Sequence, residues 1–279
     1  MFTRFAYAKI NLTLDILGRR PDGYHEIASV MQAISLHDTL VFSKGPGLCV
    51  ECSDRRLAGP DNLVHRAAEL LRREMGGVQG ARVRLTKRIP LAAGLGGGSS
   101  DAACALLGLN ALWRLGLGQE RLAELASRLG SDVPFFLTGG TALVQGRGER
   151  VTPLPPPAPA WLVLAVQPVG VSAKTRTLYE ALQPGDYTDG SATRRMVEDI
   201  ERQGRIDPRL TFNAFEPLAF RLFPELERVR TAMLEAGASL VRLSGSGPAM
   251  FTIVPDRRTA HALRRRLAAG GVEAIAASY

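Results

Sequence analysis

The sequence predicts an α+β protein built of two domains. Three observations carry that reading. Segments of period two and of period 3.6 both recur along the 279 residues. The stretch PLPPPAPA at 153–160 breaks the composition, and five prolines in eight residues make a stiff, extended connector. A glycine-rich loop opens directly into a helix that is apolar all round. With the boundary placed in the proline stretch, the expected domains are 1–155 and 156–279.

The elements follow in order. At 10–17, Ile10, Leu12, Leu14 and Ile16 alternate with Asn11, Thr13 and Asp15. That is a half-buried strand, with Lys9 on its polar face beside Asn11. DTLVFSKG (38–45), LCVECS (48–53) and ARVRLTKR (81–88) read as further strands. Residues 62–75 form an amphipathic helix closed by Gly76-Gly77. Pro90 opens the glycine-rich loop, and 99–113 is helical after it. No charge falls between Ala102 and Trp113 and Asn110 is the one polar residue there, so this helix is buried. A shorter surface helix covers 119–129. Beyond the prolines come a strand at 161–167, several helices, strands at 240–243 and 249–254, a helix at 257–268 and a strand at 272–277. This order predicts a small α/β sandwich on an antiparallel sheet.

Composition excludes several classes. Apolar residues are 46% and charged residues 22%, ordinary for a globular protein and not for a disordered one. No apolar run approaches the ~20 residues of a membrane helix. MFTRFAYAKINL lacks the apolar core of a signal peptide, so a cytoplasmic address is expected. The net charge is 35 − 27 = +8, and only Lys9, Lys44, Lys87 and Lys174 are lysines. The arginines are interleaved with acids, and their densest group (Arg257, Arg258, Arg264, Arg265, Arg266) reads as one solvated helix face. We expect no nucleic-acid partner and no membrane; an arginine-rich surface suits small anionic substrates. Cys49, Cys52 and Cys104 are too few for a disulfide framework, and the four histidines are scattered, so no zinc centre is expected.

PLAAGLGGGSSDAA (90–103) is the most informative stretch. Gly94, Gly96, Gly97 and Gly98 let the backbone turn sharply and approach a ligand, and Ser99, Ser100 and Asp101 are helix-starting residues. Free amides then converge at the positive end of a buried helix, which is an anion site. Walker A is excluded because Ser99, not lysine, follows Gly98. A dinucleotide fingerprint is excluded because Ser99 stands at its third glycine position.

This loop resembles the phosphate-wrapping loop of the GHMP kinase superfamily, with Ala92 in place of an early glycine. AYAKINLTLDILGRRPDGYHEI (6–27), LGSDVPFFLTGGTALVQGRGE (129–149) and RLSGSGPAMF (242–251) are similar to segments of the superfamily's 4-diphosphocytidyl-2-C-methyl-D-erythritol kinases. Order and spacing agree across nearly the whole chain. The resemblance implies a two-domain GHMP kinase fold, with an N-terminal α/β domain that binds ATP and a C-terminal ferredoxin-like sandwich. It implies ATP contacts along Pro90, Leu91, Ala92, Ala93, Gly94, Leu95, Gly96, Gly97, Gly98, Ser99 and Ser100. It makes Asp132 and Lys9 the catalytic pair, the aspartate accepting the hydroxyl proton and the lysine stabilising phosphoryl charge. It places Asn11, Tyr24, His25, Thr175 and Tyr179 on the acceptor, a cytidine diphosphate-linked methylerythritol. His25 would read the cytosine edge and Tyr179 would lie over the ring. Gly245, Ser246 and Gly247 would close over the site from the C-terminal domain. Mg²⁺ is expected, with Ser99 or Ser100 contributing, and Asn62 and Lys87 are candidates for the adenine pocket. The expected assembly is a monomer or weak homodimer.

Without the resemblance these residues have plainer readings. Asp132 is a helix N-cap before Val133 and Pro134, Lys9 a solvent-facing strand lysine, and 22–25 and 245–247 ordinary turns. Two rival functions stay open. One is a superfamily kinase for another acceptor, such as homoserine or mevalonate. The other is a non-catalytic nucleotide-binding module.

Overall fold

The structure, a computed structural model, describes residues 1–77, 80–166 and 174–279. Along the chain run β1 (Phe2–Asn11), β2 (Thr13–Arg19), β3 (His25–Lys44), β4 (Leu48–Cys52), α1 (Leu63–Glu74) and β5 (Ala81–Thr86). Next come α2 (Gly97–Trp113), α3 (Gln119–Leu129), α4 (Val133–Thr138), β6 (Thr141–Gly146), β7 (Arg150–Pro153) and β8 (Trp161–Ala165). Then follow α5 (Lys174–Ala181), α6 (Ser191–Gln203), β9 (Phe212–Asn213), α7 (Glu216–Leu222) and α8 (Pro224–Glu235). The chain ends with β10 (Arg242–Leu243), β11 (Met250–Val254), α9 (Arg257–Ala269) and β12 (Ala274–Ser278). These elements form two compact units that interleave in sequence. The first comprises Met1–Ala8, Leu36–Leu91 and Gly96–Gly139; the second comprises Lys9–Ser35, Ala92–Leu95 and Gly140–Tyr279.

In the first unit, β5 pairs parallel with β4 and antiparallel with the end of β3, Thr39 opposite Thr86 and Lys44 opposite Ala81. Its alternation is strict: Ala81, Val83 and Leu85 are buried while Arg82, Arg84 and Thr86 face out. Helix α1 starts where Asn62 accepts the Val64 amide at 2.8 Å, and it buries Val64, Ala67, Ala68 and Leu71, an i, i+3, i+4, i+7 stripe. Helix α2 has no polar face to offer water and packs against α1, α3 and α4. Gly108 admits Phe42 to its surface; a Cβ there would stand 2.3 Å from the ring's Cζ.

In the second unit, β3 pairs antiparallel with β2 and β6, and β2 pairs parallel with β9. A separate antiparallel sheet has the order β10-β11-β8-β12. With α9 joining β11 to β12 and the preceding helices joining β8 to β10, this is the split βαβ arrangement of a ferredoxin-like sandwich. Its core includes Val163, Leu218, Met233, Leu243, Leu263 and Leu267.

Four expectations need correction. The opening strand is buried on both faces: Lys9, Asn11, Thr13 and Asp15 are all at most 3% exposed. Their partners, Ser29, Thr188 and Thr193 among them, come from distant sequence and replace water on the polar face. Helix α2 begins at Gly97 rather than 99, because Gly96 takes the left-handed conformation (φ 69°) that turns the chain into it. Ser99 and Ser100 therefore lie within its first turn rather than capping it. Finally, the strand seen at 38–45 extends back to His25 as β3. The expected strand at 161–167 ends at Ala165, and its last residue lies outside the described residues. No helix among the described residues is long and apolar enough to cross a membrane.

Candidate active site

The first unit carries the end of the glycine loop. Ser100 closes the first turn of α2 with its amide on the Gly96 carbonyl at 2.8 Å. The amides of Gly97, Gly98 and Ser99 are the donors that such a helix start leaves over. Gly97 has no room for a side chain: a Cβ would sit 2.9 Å from Ile89 Cγ2 and 3.4 Å from Lys87 Nζ. Beneath this turn lies a buried triad. Lys87 donates to Asp101 at 2.6 Å and also to Asp38, and Asp38 accepts the amides of Arg88 and Ile89 as well. Burial above all, with the charge of Asp38 adding, pushes the Asp101 carboxyl up to about 7 against the pull of Lys87. Burial pulls the Lys87 ammonium down, but the two carboxylates outweigh it and the net shift is upward.

The same unit holds Asp132 at the N-cap position of α4, ahead of buried Val133 and Pro134. The position is as expected, but the side chain makes no capping hydrogen bond. Helix α4 packs on α2.

The second unit carries Ala92–Leu95 of the loop together with Lys9. The Lys9 amide donates to Leu95 O at 3.0 Å, and its Nζ donates to Asn11 Oδ1 at 2.6 Å. Asn11 passes its amide on to Ser29 Oγ at 2.8 Å. The C-terminal glycine turn backs onto this group. Ser244 Oγ donates to Gly94 O at 3.0 Å and the Ala249 amide to Ala93 O at 3.0 Å. A Cβ on Gly245 would lie 3.3 Å from Asn11 Oδ1 and 3.5 Å from Lys9 Nζ. Asn213 fixes the turn by donating to the carbonyls of Leu243 and Gly245, both at 2.8 Å. Ala92, standing where the superfamily loop has glycine, takes φ +51° all the same. Thr175 Oγ1 meets Ser246 Oγ at 2.6 Å.

At the start of β3 an aromatic cluster surrounds His25. Its ring centroid lies 5.1 Å from Tyr179 and 6.1 Å from Tyr187, and Tyr179 meets Phe215 edge-on at 4.9 Å. Burial, then the charge of Arg19, holds the imidazole below its usual range, so it is neutral at pH 7. Tyr24 stands apart from the cluster: it is half exposed, with the Arg147 guanidinium 4.8 Å over its ring.

The pattern described as GHMP kinases N terminal domain matches residues 62–140, and that of GHMP kinases C terminal matches 191–273. A 4-diphosphocytidyl-2-C-methyl-D-erythritol kinase of Dehalococcoides mccartyi is 44% identical, covering 100% of this chain and 98% of its own. Its counterpart in Pelotomaculum thermopropionicum is 47% identical, covering 95% and 93%. This chain belongs to that family of GHMP kinases. A crystal structure of 4-(cytidine 5'-diphospho)-2C-methyl-D-erythritol kinase, 38% identical, aligns with a TM-score of 0.83 over 99% of this chain and 98% of that one. A homoserine kinase from Cytophaga hutchinsonii, 21% identical, shares the fold at a TM-score of 0.74 over 99% and 93%. The expected α+β fold and the expected small-molecule kinase using ATP both hold.

Within this GHMP kinase, the second unit brings Lys9, Asn11, Gly94, Leu95 and Gly245 together, and separately His25 with Tyr179 and Thr175 with Ser246. The first unit brings the α2 amides together with Lys87. Sequence reasoning missed Tyr187, Phe215, Asn213 and the partners of Lys87. Asp101 was read only as a helix-starting residue of the glycine loop, and the others carry no local motif; a tyrosine after a proline-glycine turn is the only hint for Tyr187. Among the described residues no group of three or more His, Cys, Asp or Glu side chains is arranged to hold a metal.

Proposed function

We propose that this GHMP kinase transfers the γ-phosphoryl group of ATP to the 2-hydroxyl of 4-diphosphocytidyl-2-C-methyl-D-erythritol, giving the 2-phosphate and ADP in non-mevalonate isoprenoid precursor synthesis. The observation that carries this choice of acceptor is the His25 cluster. A neutral imidazole between aromatic rings, on the same unit as Lys9 and Asn11, suits a planar base with a polar edge. Homoserine and mevalonate have no such ring, which disfavours the rival acceptors.

In this reading Pro90 to Ser100 wrap the triphosphate, with the amides of Gly97, Gly98 and Ser99 as the main donors. Asp132, at the N-cap position of α4, accepts the proton of the attacking hydroxyl. Lys9 stabilises the transferred charge, and Asn11 holds both the Lys9 ammonium and the acceptor. His25, Tyr24 and Tyr179 bind the cytidine end, Thr175 contacts the acceptor, and Gly245, Ser246 and Gly247 line the phosphate path. Mg²⁺, when bound, neutralises triphosphate charge, with Ser99 or Ser100 as its protein donor. Residues 1–155 serve as the ATP-binding part and 156–279 as its C-terminal partner. The proposed setting is cytoplasmic, as a monomer or weak homodimer that binds no nucleic acid.

The test is ADP release with a panel of acceptors. Turnover with the cytidine-linked acceptor alone, inhibited by CMP or CDP, supports the proposal. Turnover with homoserine or mevalonate and no inhibition by CMP rejects it, and steeply salt-dependent RNA binding without turnover would favour a non-catalytic module.

A further inference from the structure

A buried carboxylate that the proposed chemistry does not use holds an aromatic residue against His25. Asp15, on β2, is 1% exposed. Its Oδ1 accepts the Thr188 hydroxyl at 2.8 Å and its Oδ2 accepts the Thr193 amide at 2.8 Å. The Thr188 amide donates to Ile16 O at 2.8 Å. Thr193 Oγ1 in turn reaches Thr13 Oγ1 at 2.9 Å and Ala28 O at 3.1 Å. The segment entering α6 is therefore clamped to β2 and β3. Just upstream, Asp186 accepts the Gln183 amide at 2.8 Å and fixes the turn that precedes Tyr187. Tyr187 is thus held from both sides.

What it is held for follows from its polar tip. A tyrosine kept for the core usually hydrogen-bonds its hydroxyl. Tyr187 is only half-buried, and among the described residues no protein group partners its hydroxyl or either ring nitrogen of His25. Two unspent polar edges on neighbouring rings suit a ligand with a flat face and its own donors and acceptors.

We propose that Tyr187 is a specificity-determining residue for the nucleoside end of the acceptor, and that Asp15 and Thr188 are its positioning residues. This rests on the reading that His25 marks the nucleoside site. Tyr187 supplies a second aromatic wall beside Tyr179, and its hydroxyl bonds the base or the ribose.

The test measures KM for the acceptor, KM for ATP, kcat and the inhibition constant of CMP in five variants: Tyr187→Phe, Tyr187→Ala, Thr188→Val, His25→Ala and the double variant of Tyr187→Ala with Thr188→Val. Losing one hydrogen bond in Tyr187→Phe weakens CMP about 2–10-fold. Tyr187→Ala, which also loses the ring contact, raises the acceptor KM about 10–100-fold. In both, the KM for ATP is unchanged and kcat moves far less than the acceptor KM. Thr188→Val weakens CMP in the same direction, and combined with Tyr187→Ala it adds nothing, because it acts through that ring. If His25→Ala weakens CMP while the Tyr187 variants do not, the proposal fails and the nucleoside site stands. If His25→Ala has no effect either, both fall. Additive losses in the double variant overturn the positioning role.

Discussion

Gly94→Ala is the sharpest structural perturbation of the loop. Gly94 has φ +78°, and a Cβ there would stand 2.2 Å from the carbonyl oxygen of Ser244 and 3.1 Å from the amide nitrogen of Gly247. These are backbone atoms, so no side chain can swing aside. The left-handed conformation alone costs an alanine about 1–2 kcal/mol. Overpacking adds typically ~1–3 kcal/mol. Parting the two turns to relieve it strains the bonds from Ser244 Oγ to Gly94 O and from the Ala249 amide to Ala93 O, both 3.0 Å. The sum is about 2–5 kcal/mol, which at roughly 2–4 °C per kcal/mol lowers Tm by about 4–20 °C. Thermal denaturation with and without ATP reads the loss. Ala92→Gly is the matched control. It removes the left-handed strain at φ +51°, but the unfolded chain gains freedom worth about 0.4–1 kcal/mol, so Tm stays level or rises slightly. An unchanged Tm in Gly94→Ala, or a clear drop in Ala92→Gly, would refute the account of this loop.

Other expectations concern chemistry and pH. Asp132→Asn lowers kcat about 10²–10⁴-fold with little change in Tm or in the KM for ATP, measured by ADP release. Asp101, whose carboxyl sits at about 7 rather than 3.8, binds more protons folded than unfolded between those values. Its contribution to stability therefore falls as pH rises from about 4 to 7 and is level above that. Asp101→Asn flattens this part of a Tm-against-pH curve; an unaltered slope would show that the buried triad does not titrate there. Because burial, then the charge of Arg19, holds the His25 imidazole below its usual range, CMP affinity is flat from about pH 7.5 to 8.5 by calorimetric titration, and any fall that His25 protonation causes comes only on acidification below the ordinary histidine range.

The sequence carried local features well and distant partners poorly. The strand at 81–88, the amphipathic helix from Asn62 and the apolar run of α2 are statements about neighbours, and each was legible. The glycines at 94 and 245 were also legible as turns. That they pack against each other was not, since the contact joins segments 150 residues apart, as the bond from Ser244 to Gly94 does. The same limit explains Lys9. Its strand position was readable, but its burial depends on residues such as Ser29 and Gly245, which no local pattern ties to it. Tyr187 escaped notice because its role comes from Asp15, 172 residues earlier, through the hydroxyl of Thr188.

The central claim is that a cytidine-linked alcohol receives the phosphoryl group under the control of Asp132 and Lys9. Phosphorus NMR of the purified protein incubated with ATP, Mg²⁺ and 4-diphosphocytidyl-2-C-methyl-D-erythritol tests it most directly. The account predicts a new phosphomonoester signal on the 2-hydroxyl, growing in step with ADP, and its near-disappearance in Asp132→Asn. ATP left intact, a phosphate delivered elsewhere on the acceptor, or full turnover by the Asp132→Asn protein would contradict it.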